Sequence, residues 1–228
     1  MAGTLFIIAT PIGNLNDISA RAIEALKGAD LVLCEDTRVA KVLLDHFEIS
    51  KPLLSYHQHS DLEKTAEILK LLAEGKTLAL VSDAGTPGIS DPGNRLVEEA
   101  VKKFGDDVGI IPIPGACAVI AALSVSGFAT DKFIFTGFPP VKNKRKTYFE
   151  ELLDNEFTSV FYESNFRIIK TLGEIDGINP DKSRRIAVCR ELTKTFESIY
   201  RGTVSEVIEK INKDPLKGEF VAVLEGKR

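Results

Sequence analysis

Short apolar runs alternate with helical patterns along the first half of this 228-residue chain, and this alternation limits the folds open to it. The strand-like runs fall at residues 4–9, 31–34, 53–55, 77–81 and 108–111. Between them, segments such as ISARAIEAL carry apolar residues at helical spacing. Because a helix usually connects two parallel strands, the pattern predicts a mostly parallel sheet covered by helices on both faces.

The remainder of the chain has a different order of elements. The PIPG segment at 112–115 breaks any regular element, so we predict two α/β domains, at residues 1–113 and 114–228. Strands predicted near 133–136, 159–162, 185–189, 197–201 and 220–224 are partly consecutive, which favours a mixed sheet. Helices are predicted at 17–27, 38–47, 61–74, 91–104, 116–126 and 166–174. Asp17 is expected to cap the first of these helices, and Asp91 and Pro92 to begin the fourth.

The composition narrows the class of protein. A hydrophobic fraction of 44% argues against disorder, and no apolar stretch approaches the roughly 20 residues of a membrane-spanning helix. The N-terminus lacks the basic start of a secretory signal, so we predict a cytoplasmic protein without membrane association. Cys34, Cys117 and Cys189 are odd in number and far apart, which predicts reduced core thiols and neither a disulfide frame nor a zinc site.

Two irregular loops follow predicted strands. ATPIGN (9–14) follows the first strand, and VSDAGTPGISDPG (81–93) begins at the end of another. Open α/β sheets bind ligands at the carboxyl ends of their strands, which is where both loops lie. Gly85 and Gly88 permit positive φ angles and close approach of a ligand to the backbone, and Pro87 stiffens the chain between them. A helix start explains only the second half of the longer loop, so its first half is interpreted as a wall facing a ligand.

Known nucleotide motifs do not account for these loops. The sequence contains no G-x-G-x-x-G, which excludes a dinucleotide fingerprint and with it a nicotinamide-dependent oxidoreductase. Gly75-Lys76-Thr77 resembles the end of a phosphate-binding P-loop, but it precedes a strand and lacks the earlier glycine.

Two polar clusters leave alternatives open. In CEDTR, Asp36 or Thr37 could simply cap the next helix, or Asp36 or Glu35 could contact a substrate hydroxyl while Arg38 contacts a phosphate. In YHQHS, His57 and His59 could be ordinary surface residues, or could take part in a functional site at the end of the strand. Their spacing would suit a metal pair, yet no third ligand accompanies them, so no metal is expected.

The ordered set of motifs resembles one known family. The motifs are ATPIGNLNDIS, CEDTR, VSDAGTPGISDPG, IPIPGACA, TGFPP, YES, RELTK, RGT and KGE, and together they span essentially the whole chain. In this order they resemble the ribosomal RNA small-subunit methyltransferase I family of the tetrapyrrole-methylase superfamily. The sequence departs from the family pattern at Asn165 and Phe166, where the family usually has Pro-His, and at Gln58 and Ser60.

The resemblance implies a fold, a reaction and partners. It implies two α/β domains of the class III methyltransferase type, with S-adenosylmethionine (SAM) held in a folded shape in the cleft between them. It also implies a homodimer. The implied reaction is 2′-O-methylation of cytidine 1402 in the decoding region of 16S rRNA, with the small ribosomal subunit as substrate. Methyl transfer from a sulfonium needs donor and acceptor held in line, and a base can assist by removing the hydroxyl proton.

With that reaction in view, each candidate residue receives an expected role. The residues expected to bind the cofactor are Pro11, Ser82, Asp83, Ala84, Gly85, Ile89, Ser90, Tyr162 and Ala222. The catalytic candidates are Asp36, Glu35, Arg38, His57 and Glu191. For His57 and His59 the functional alternatives are contact with RNA or relay of a proton. Contacts to RNA phosphates are expected from Lys142, Lys144, Arg145 and Lys146, in a predicted loop, and from Arg190. For the basic run a merely solvated face is the alternative, and for Arg190, Glu191 and Lys194 an ion-paired surface.

Two rival functions remain at this point. One is a SAM-dependent methyltransferase that acts on a tetrapyrrole or another small acceptor. The other is a non-catalytic RNA-binding or ribosome-assembly factor, which would bind no SAM and would leave the two irregular loops without a purpose.

Overall fold

The structure, a computed structural model, describes residues 2–57, 62–179 and 182–227. The chain divides into two compact units, Met1–Cys117 and Ala118–Arg228. Each unit contains its own sheet and its own hydrophobic core.

The first unit alternates strands and helices along its length. Its strands are β1 (Thr4–Ile8), β2 (Leu31–Cys34), β3 (Leu53–Ser55), β4 (Thr77–Val81) and β5 (Gly109–Ile113). Its helices are α1 (Ala20–Gly28), α2 (Thr37–His46), α3 (Leu62–Ala73) and α4 (Asn94–Phe104), with 3-10 turns at Leu15–Asp17 and Gly105–Asp107.

The first sheet is parallel throughout, with strand order β3-β2-β4-β1-β5. Two separate apolar clusters, one centred on Ile8 and Leu26 and the other on Leu5 and Leu72, contain side chains of the same strands. Adjacent side chains of a strand point to opposite faces, so Leu5 and Ile8 belong to opposite faces of β1. The helices therefore cover both faces of the sheet, as the alternating pattern predicts.

The second unit combines a mixed sheet with four helices among its described residues. Its strands are β6 (Phe133–Phe135), β7 (Thr158–Ser164), β8 (Arg185–Arg190), β9 (Ser198–Thr203) and β10 (Glu219–Leu224). Its helices are α5 (Ala118–Ser126), α6 (Arg145–Asp154), α7 (Ile168–Ile178) and α8 (Val204–Ile211). The sheet order is β6-β7-β10-β8-β9, in which only the pairing of β6 with β7 is parallel.

Several predicted element boundaries are corrected. Helix α1 is capped by Ser19, whose hydroxyl accepts from the Ala22 amide, and not by Asp17, which ends a 3-10 turn. Helix α4 begins at Asn94 after Gly93, so Asp91 and Pro92 lie outside it. The start of α3 was predicted at Asp61, which is outside the described residues.

Two helices of the structure, α6 and α8, were not predicted from the sequence. Helix α6 begins inside the basic run that was predicted to be a loop, and α8 follows β9 directly. Helix α8 carries a clear local signal, because Thr203 and Glu206 form a reciprocal capping box at its start.

Across the described residues, no helix combines the length and apolar character needed to cross a membrane.

Candidate functional site

Loops of the first unit meet at one edge of the parallel sheet. Strands β2, β4, β1 and β5 are neighbours and run in the same direction, so the loops after them emerge at the same edge. The loop after β1 and the loop after β4 are joined by a backbone bridge, with Thr10 N donating to Gly85 O (2.8 Å) and Gly85 N to Thr10 O (3.1 Å). The Thr10 hydroxyl also donates to the carbonyl of Ser82 at 3.1 Å. The two motif loops singled out in the sequence are therefore one connected structure.

Positive φ angles shape the loop after β4. Gly85 and Gly88 have φ angles of +83° and +84°, and Ser90 has +58°, a left-handed angle that only a minority of non-glycine residues adopt. At Gly88, an added Cβ would lie 2.4 Å from the Asn94 side-chain oxygen, and the Asn94 amide donates to Gly88 O at 2.9 Å. Glycine is thus required where the loop folds back onto the start of α4.

The loop after β5 closes against both other loops. A Cβ added at Gly115 would lie 3.0 Å from the Ala9 Cβ, so this glycine allows the backbone to approach closely. The Thr86 hydroxyl donates to Ala116 O at 3.5 Å. A Cβ at Gly85 would meet the Ile12 side chain at 3.4 Å. Three loops therefore meet around Gly85, where an added Cβ would contact two of them and where the positive φ angle itself favours glycine.

The predicted cofactor residues of this unit divide into buried and exposed groups. Pro11, Ser82 and Gly85 are buried, and the Ser82 hydroxyl bonds the carbonyls of Ala84 and Gly85, so Ser82 shapes the loop. The exposed members of the set are Asp83, Ala84, Ile89 and Ser90. This surface offers a carboxylate, a hydroxyl, an apolar side chain and loop backbone, a set of groups that suits a ligand with hydroxyl and amine donors and a flat apolar ring.

Three carboxyl groups lie together beside these loops. Asp83 accepts from the backbone amide of Asp36 at 3.2 Å, which ties the ends of β4 and β2 together. Burial, then the nearby Glu35 carboxylate and also Asp83, raise the pKa of Asp91 to about 6, against a hydrogen bond from Ser82 that lowers it. Asp91 was not among the predicted site residues, because its place before Pro92 indicated a helix cap. The sequence feature that could have indicated Asp91 is its position in the loop after β4, because Glu35 follows β2 and these two strands are neighbours in the sheet.

Asp36 and Arg38 form the capping arrangement that was one of the two alternatives. Asp36 accepts from the Arg38 amide at 2.8 Å as the N-cap of α2, and its carboxylate pairs with the Arg38 guanidinium at 2.6 Å. The hydrogen bonds from Arg38 lower the pKa of Asp36 to about 2. A carboxylate with so low a pKa is a weak proton acceptor. The structure therefore does not favour Asp36 as a general base.

Glu35 and His57 lie at the same edge of the sheet. Glu35 is half-buried at the end of β2, and its carbonyl accepts from the Ser55 hydroxyl at 3.3 Å. His57 follows β3, the strand beside β2, and is also half-buried. His59, with Gln58 and Ser60, lies outside the described residues. The catalytic roles of Glu35 and His57 stay predictions.

Two residues of the second unit, Tyr162 and Ala222, were predicted to contact the cofactor, and they differ in exposure. Tyr162 is half-buried, with its ring against Phe135 (5.0 Å between centroids) and Phe138 (5.4 Å), and its contact with a cofactor stays a prediction. Ala222 is 0% exposed in the central strand, and it pairs with Phe161 on one side and Val188 on the other. The structure leaves Ala222 no surface for a ligand, and its assignment is corrected.

The predicted catalytic and RNA-binding residues after β8 are held by partners within the unit. Arg190 is buried and donates from Nε to the Lys217 carbonyl at 2.8 Å, so it is not an accessible phosphate contact. Glu191 pairs with Lys194 at 2.9 Å and accepts from the Glu219 amide at 2.9 Å. Burial opposes ionisation of Glu191, but these hydrogen bonds outweigh it and lower its pKa, which disfavours a role as base. The ion-paired alternative describes this cluster better.

The basic run does not act as one patch. Lys142 and Lys144 are exposed, and Lys146 is exposed with Glu150 at 3.6 Å. Arg145, in contrast, is only 6% exposed and pairs with Glu174 at 2.7 Å. It also donates to the Thr171 hydroxyl at 2.8 Å and to Pro140 O at 2.5 Å. The assignment of Arg145 to RNA is therefore corrected, because its guanidinium is committed to the interior of the second unit.

The cysteines and possible metal ligands complete the inventory. Cys34 and Cys189 are buried and Cys117 is half-buried, and all three are free thiols. Burial is the main cause that raises the pKa of Cys34 and of Cys189 to about 11, so both thiols stay protonated near neutral pH. Over 2–57, 62–179 and 182–227, no group of three or more His, Cys, Asp or Glu is placed to hold a metal ion.

Comparison with known proteins first defines the class. The model of the family described as Tetrapyrrole (Corrin/Porphyrin) Methylases matches residues 4–208. The solved structure of a diphthine synthase superposes with a TM-score of 0.73 over 98% of this chain and 90% of that one, at 14% identity. At this identity the likeness concerns the fold alone, which is that of the class III methyltransferases.

Sequence relatives define the group more narrowly. Ribosomal RNA small subunit methyltransferase I of Halalkalibacterium halodurans is 46% identical over 98% of this chain and 76% of its own length. The protein of the same name from Thermotoga maritima is 45% identical over 99% of both chains. The chain therefore belongs to the tetrapyrrole methylase family, in the group named ribosomal RNA small subunit methyltransferase I. The predicted family and fold class are confirmed.

Proposed function

We propose that the protein transfers a methyl group from SAM to the ribose 2′-hydroxyl of cytidine 1402 in 16S rRNA of the small ribosomal subunit. The connection of the three loops around Gly85 is the observation that carries the methyl-donor part of this proposal. The substrate part rests on the name that the relatives share. Eight relatives that are more than 40% identical to this chain are all named ribosomal RNA small subunit methyltransferase I. A ribosomal substrate would place the protein in the cytoplasm.

The loop surface of the first unit has the groups that SAM requires. SAM would supply an electrophilic methyl group on a positively charged sulfur. The exposed Asp83 carboxylate would accept hydrogen bonds from ribose hydroxyls, and the Ile89 side chain would contact the adenine ring. The exposed backbone of the same glycine-containing loop, beside the buried Gly85, would hold the amino-acid end.

The reaction also requires an acceptor for one proton. The ribose oxygen gains the methyl group and loses its hydrogen, so a base or water must take up that proton. Glu35 and His57 are our candidates for this role, because both are half-buried at the edge of the sheet from which the connected loops emerge. Asp36 and Glu191 are weaker candidates, because both have lowered pKa values.

One experiment tests donor and acceptor together. Purified protein is incubated with methyl-labelled SAM and with small subunits that lack the modification, and the label is located by nuclease mapping and mass spectrometry. We expect label on one cytidine ribose of the decoding region. Label on a base, or on no RNA at all, would refute the proposed acceptor.

The same assay separates the rival functions. Binding of SAM without labelled RNA, together with labelling of a tetrapyrrole, would favour the small-acceptor methyltransferase. RNA binding without any SAM binding would favour an assembly factor. We also propose a homodimer, which sedimentation of the purified protein would test directly.

A further inference from the structure

Four loops of the second unit emerge at one edge of its sheet. Register pairs Ser164 at the end of β7 with Glu219 at the start of β10, and pairs Arg190 at the end of β8 with Ser198 at the start of β9. The β7–α7 turn, the α8–β10 loop and the β8–β9 hairpin therefore lie side by side. Strand β6 runs parallel to β7, so the β6–α6 loop lies at the same edge.

Phe166, on the turn after β7, has an almost fully exposed phenyl ring. Phe166 is 91% exposed, although burial of a phenylalanine normally stabilises a fold. The turn itself is fixed from both sides. Asn165 donates to Leu216 O at 3.3 Å in the α8–β10 loop, and Arg167 donates to Pro139 O at 3.3 Å in the β6–α6 loop. The ring is thus presented on a braced turn and has no neighbour that covers it.

Two further phenylalanines are exposed along the same edge. Phe138, in the β6–α6 loop, is 55% exposed and rests one part of its ring against Tyr162. Phe196, in the β8–β9 hairpin, is 72% exposed. Strands β7 and β9 are three strand spacings apart, or about 14 Å, so the rings are distributed along an extended edge.

The charges around these rings favour an anionic partner. Most carboxylates at the edge are already engaged: Lys194 pairs with both Glu191 and Glu219, and Asp214 accepts from the Tyr200 hydroxyl. By contrast, three exposed lysines of the same loops, among the residues that the structure describes, have no carboxylate within ion-pair distance. They are Lys142, Lys144 and Lys217.

We propose that this aromatic edge, formed by Phe138, Phe166, Phe196, Lys142, Lys144 and Lys217, binds single-stranded RNA. Unpaired bases would stack on the phenyl rings, and the lysines would contact the intervening phosphates. Separated rings together with unpaired cations suit a polymer that carries both flat bases and phosphates. The inference rests on the proposed function, since it concerns how the RNA substrate is held.

The test measures RNA binding without any methyl donor. The probe is a fluorescein-labelled single-stranded 12-nucleotide RNA of the decoding-region sequence, and its anisotropy is followed with wild-type protein and variants. Phe166→Ala is expected to weaken binding about tenfold, whereas Phe166→Tyr keeps the flat ring and binds as the wild type does. Phe166→Leu keeps an apolar side chain without a ring and is expected to behave like alanine.

Matched controls come from the same unit and the same residue types. Phe133→Ala removes an exposed phenylalanine at the opposite end of β6 and is expected to leave binding unchanged. Lys142→Ala with Lys144→Ala is expected to weaken binding and to reduce its dependence on salt concentration, as loss of two phosphate contacts requires. Circular dichroism confirms that each variant is folded.

Four results would overturn the inference. Equal binding by Phe166→Ala and wild type, in protein that still methylates rRNA, would reject the aromatic edge and leave the proposed function intact. Full binding by Phe166→Leu would reject stacking. A change from dimer to monomer in Phe166→Ala, seen by sedimentation with unchanged RNA affinity, would assign the surface to a second copy of the chain. Wild-type protein that binds neither RNA nor SAM would reject both proposals together.

Discussion

At the scale of single residues, Asp91 shows how far the role of a side chain depends on where the next helix begins. As an N-cap it would have accepted a hydrogen bond from the helix, which favours the charged form of a carboxyl group. Because α4 begins three residues later, Asp91 instead lies half-buried near Glu35 and Asp83. Its negative charge is then disfavoured by burial and by two like charges.

This environment predicts a pH-dependent gain of stability in Asp91→Asn. The pKa of the Asp91 carboxyl group is about 6 in the folded protein, whereas its ordinary value is 3.8, so the folded state binds this proton more tightly than the unfolded state does. The wild-type protein therefore loses stability as the pH rises from about 4 through 6. Asparagine avoids this loss, and we expect it to raise the free energy of unfolding by about 1 kcal/mol at pH 7.5, allowing for solvent screening.

Urea unfolding at pH 4 and pH 7.5 measures this difference. The advantage of Asp91→Asn should disappear at pH 4, where the wild-type carboxyl is protonated. Asp107→Asn, at an exposed position of the same unit, provides the control and should change little at either pH. A variant as stable as wild type at both values would contradict the raised pKa.

Arg145 is the second residue whose role the sequence does not reveal. Arg145→Ala would leave Glu174 without its buried partner and Thr171 without a donor. Arg145 is buried, but the Glu174 side chain is 33% exposed and keeps Lys170 at 3.8 Å, so the loss is smaller than for a fully buried pair. We expect the free energy of unfolding to fall by about 2 kcal/mol. Lys146→Ala, one position further, loses only an exposed contact with Glu150 and should cost no more than about 0.5 kcal/mol.

Chemical denaturation of the two variants, side by side, gives these values. If instead Arg145→Ala proved as stable as wild type and bound RNA less tightly, the original assignment of Arg145 to phosphate would be restored.

At the scale of elements, the connected loops of the first unit depend on glycine for space as well as for conformation. Gly85 and Gly127 have nearly equal φ angles of +83° and +80°, but only Gly85 has atoms of other loops around the position of a Cβ. Alanine substitutions at these two positions therefore distinguish the free-energy cost of the positive φ angle from the effect of a methyl group among the three loops.

Alanine at each glycine should consequently reduce stability by a similar amount, about 1 kcal/mol, because both positions are left-handed. Only Gly85→Ala should impair SAM binding, by about tenfold, since its methyl group would lie among the loops that form the proposed SAM site, in contact with Ile12 and the Ala116 carbonyl. Isothermal titration with SAM, combined with thermal unfolding, checks both expectations. Equal loss of SAM affinity in Gly127→Ala would show that the effect is one of general stability.

At the scale of the whole molecule, the proposed function predicts stabilisation by the methyl donor. A ligand that binds only the folded state at a hundred times its dissociation constant adds about 2.7 kcal/mol to the free energy of unfolding. We expect SAM to raise the thermal midpoint in this concentration-dependent way. ATP shares the adenosine group but lacks the amino-acid end, and it serves as the control. A midpoint that is insensitive to SAM would argue against the entire proposal.

The sequence alone determined the class of fold. Alternation of short apolar runs with helical periodicity is a local property, and in the first unit it led to the observed strands at Leu31–Cys34, Leu53–Ser55 and Thr77–Val81 without correction. The ordered motifs likewise indicated the family, because the identity and spacing of their glycines, prolines and charged residues can be read directly from the sequence.

Only the tertiary structure decided which side chains remain available for chemistry. The sequence cannot show that Arg145 points into the second unit or that Ala222 lies in a central strand. Those outcomes depend on contacts between residues far apart in the chain, such as Arg145 with Glu174 or Asp91 with Glu35. Burial and pairing are set by strand order and by the positions where helices begin, and these arise from packing of the whole unit.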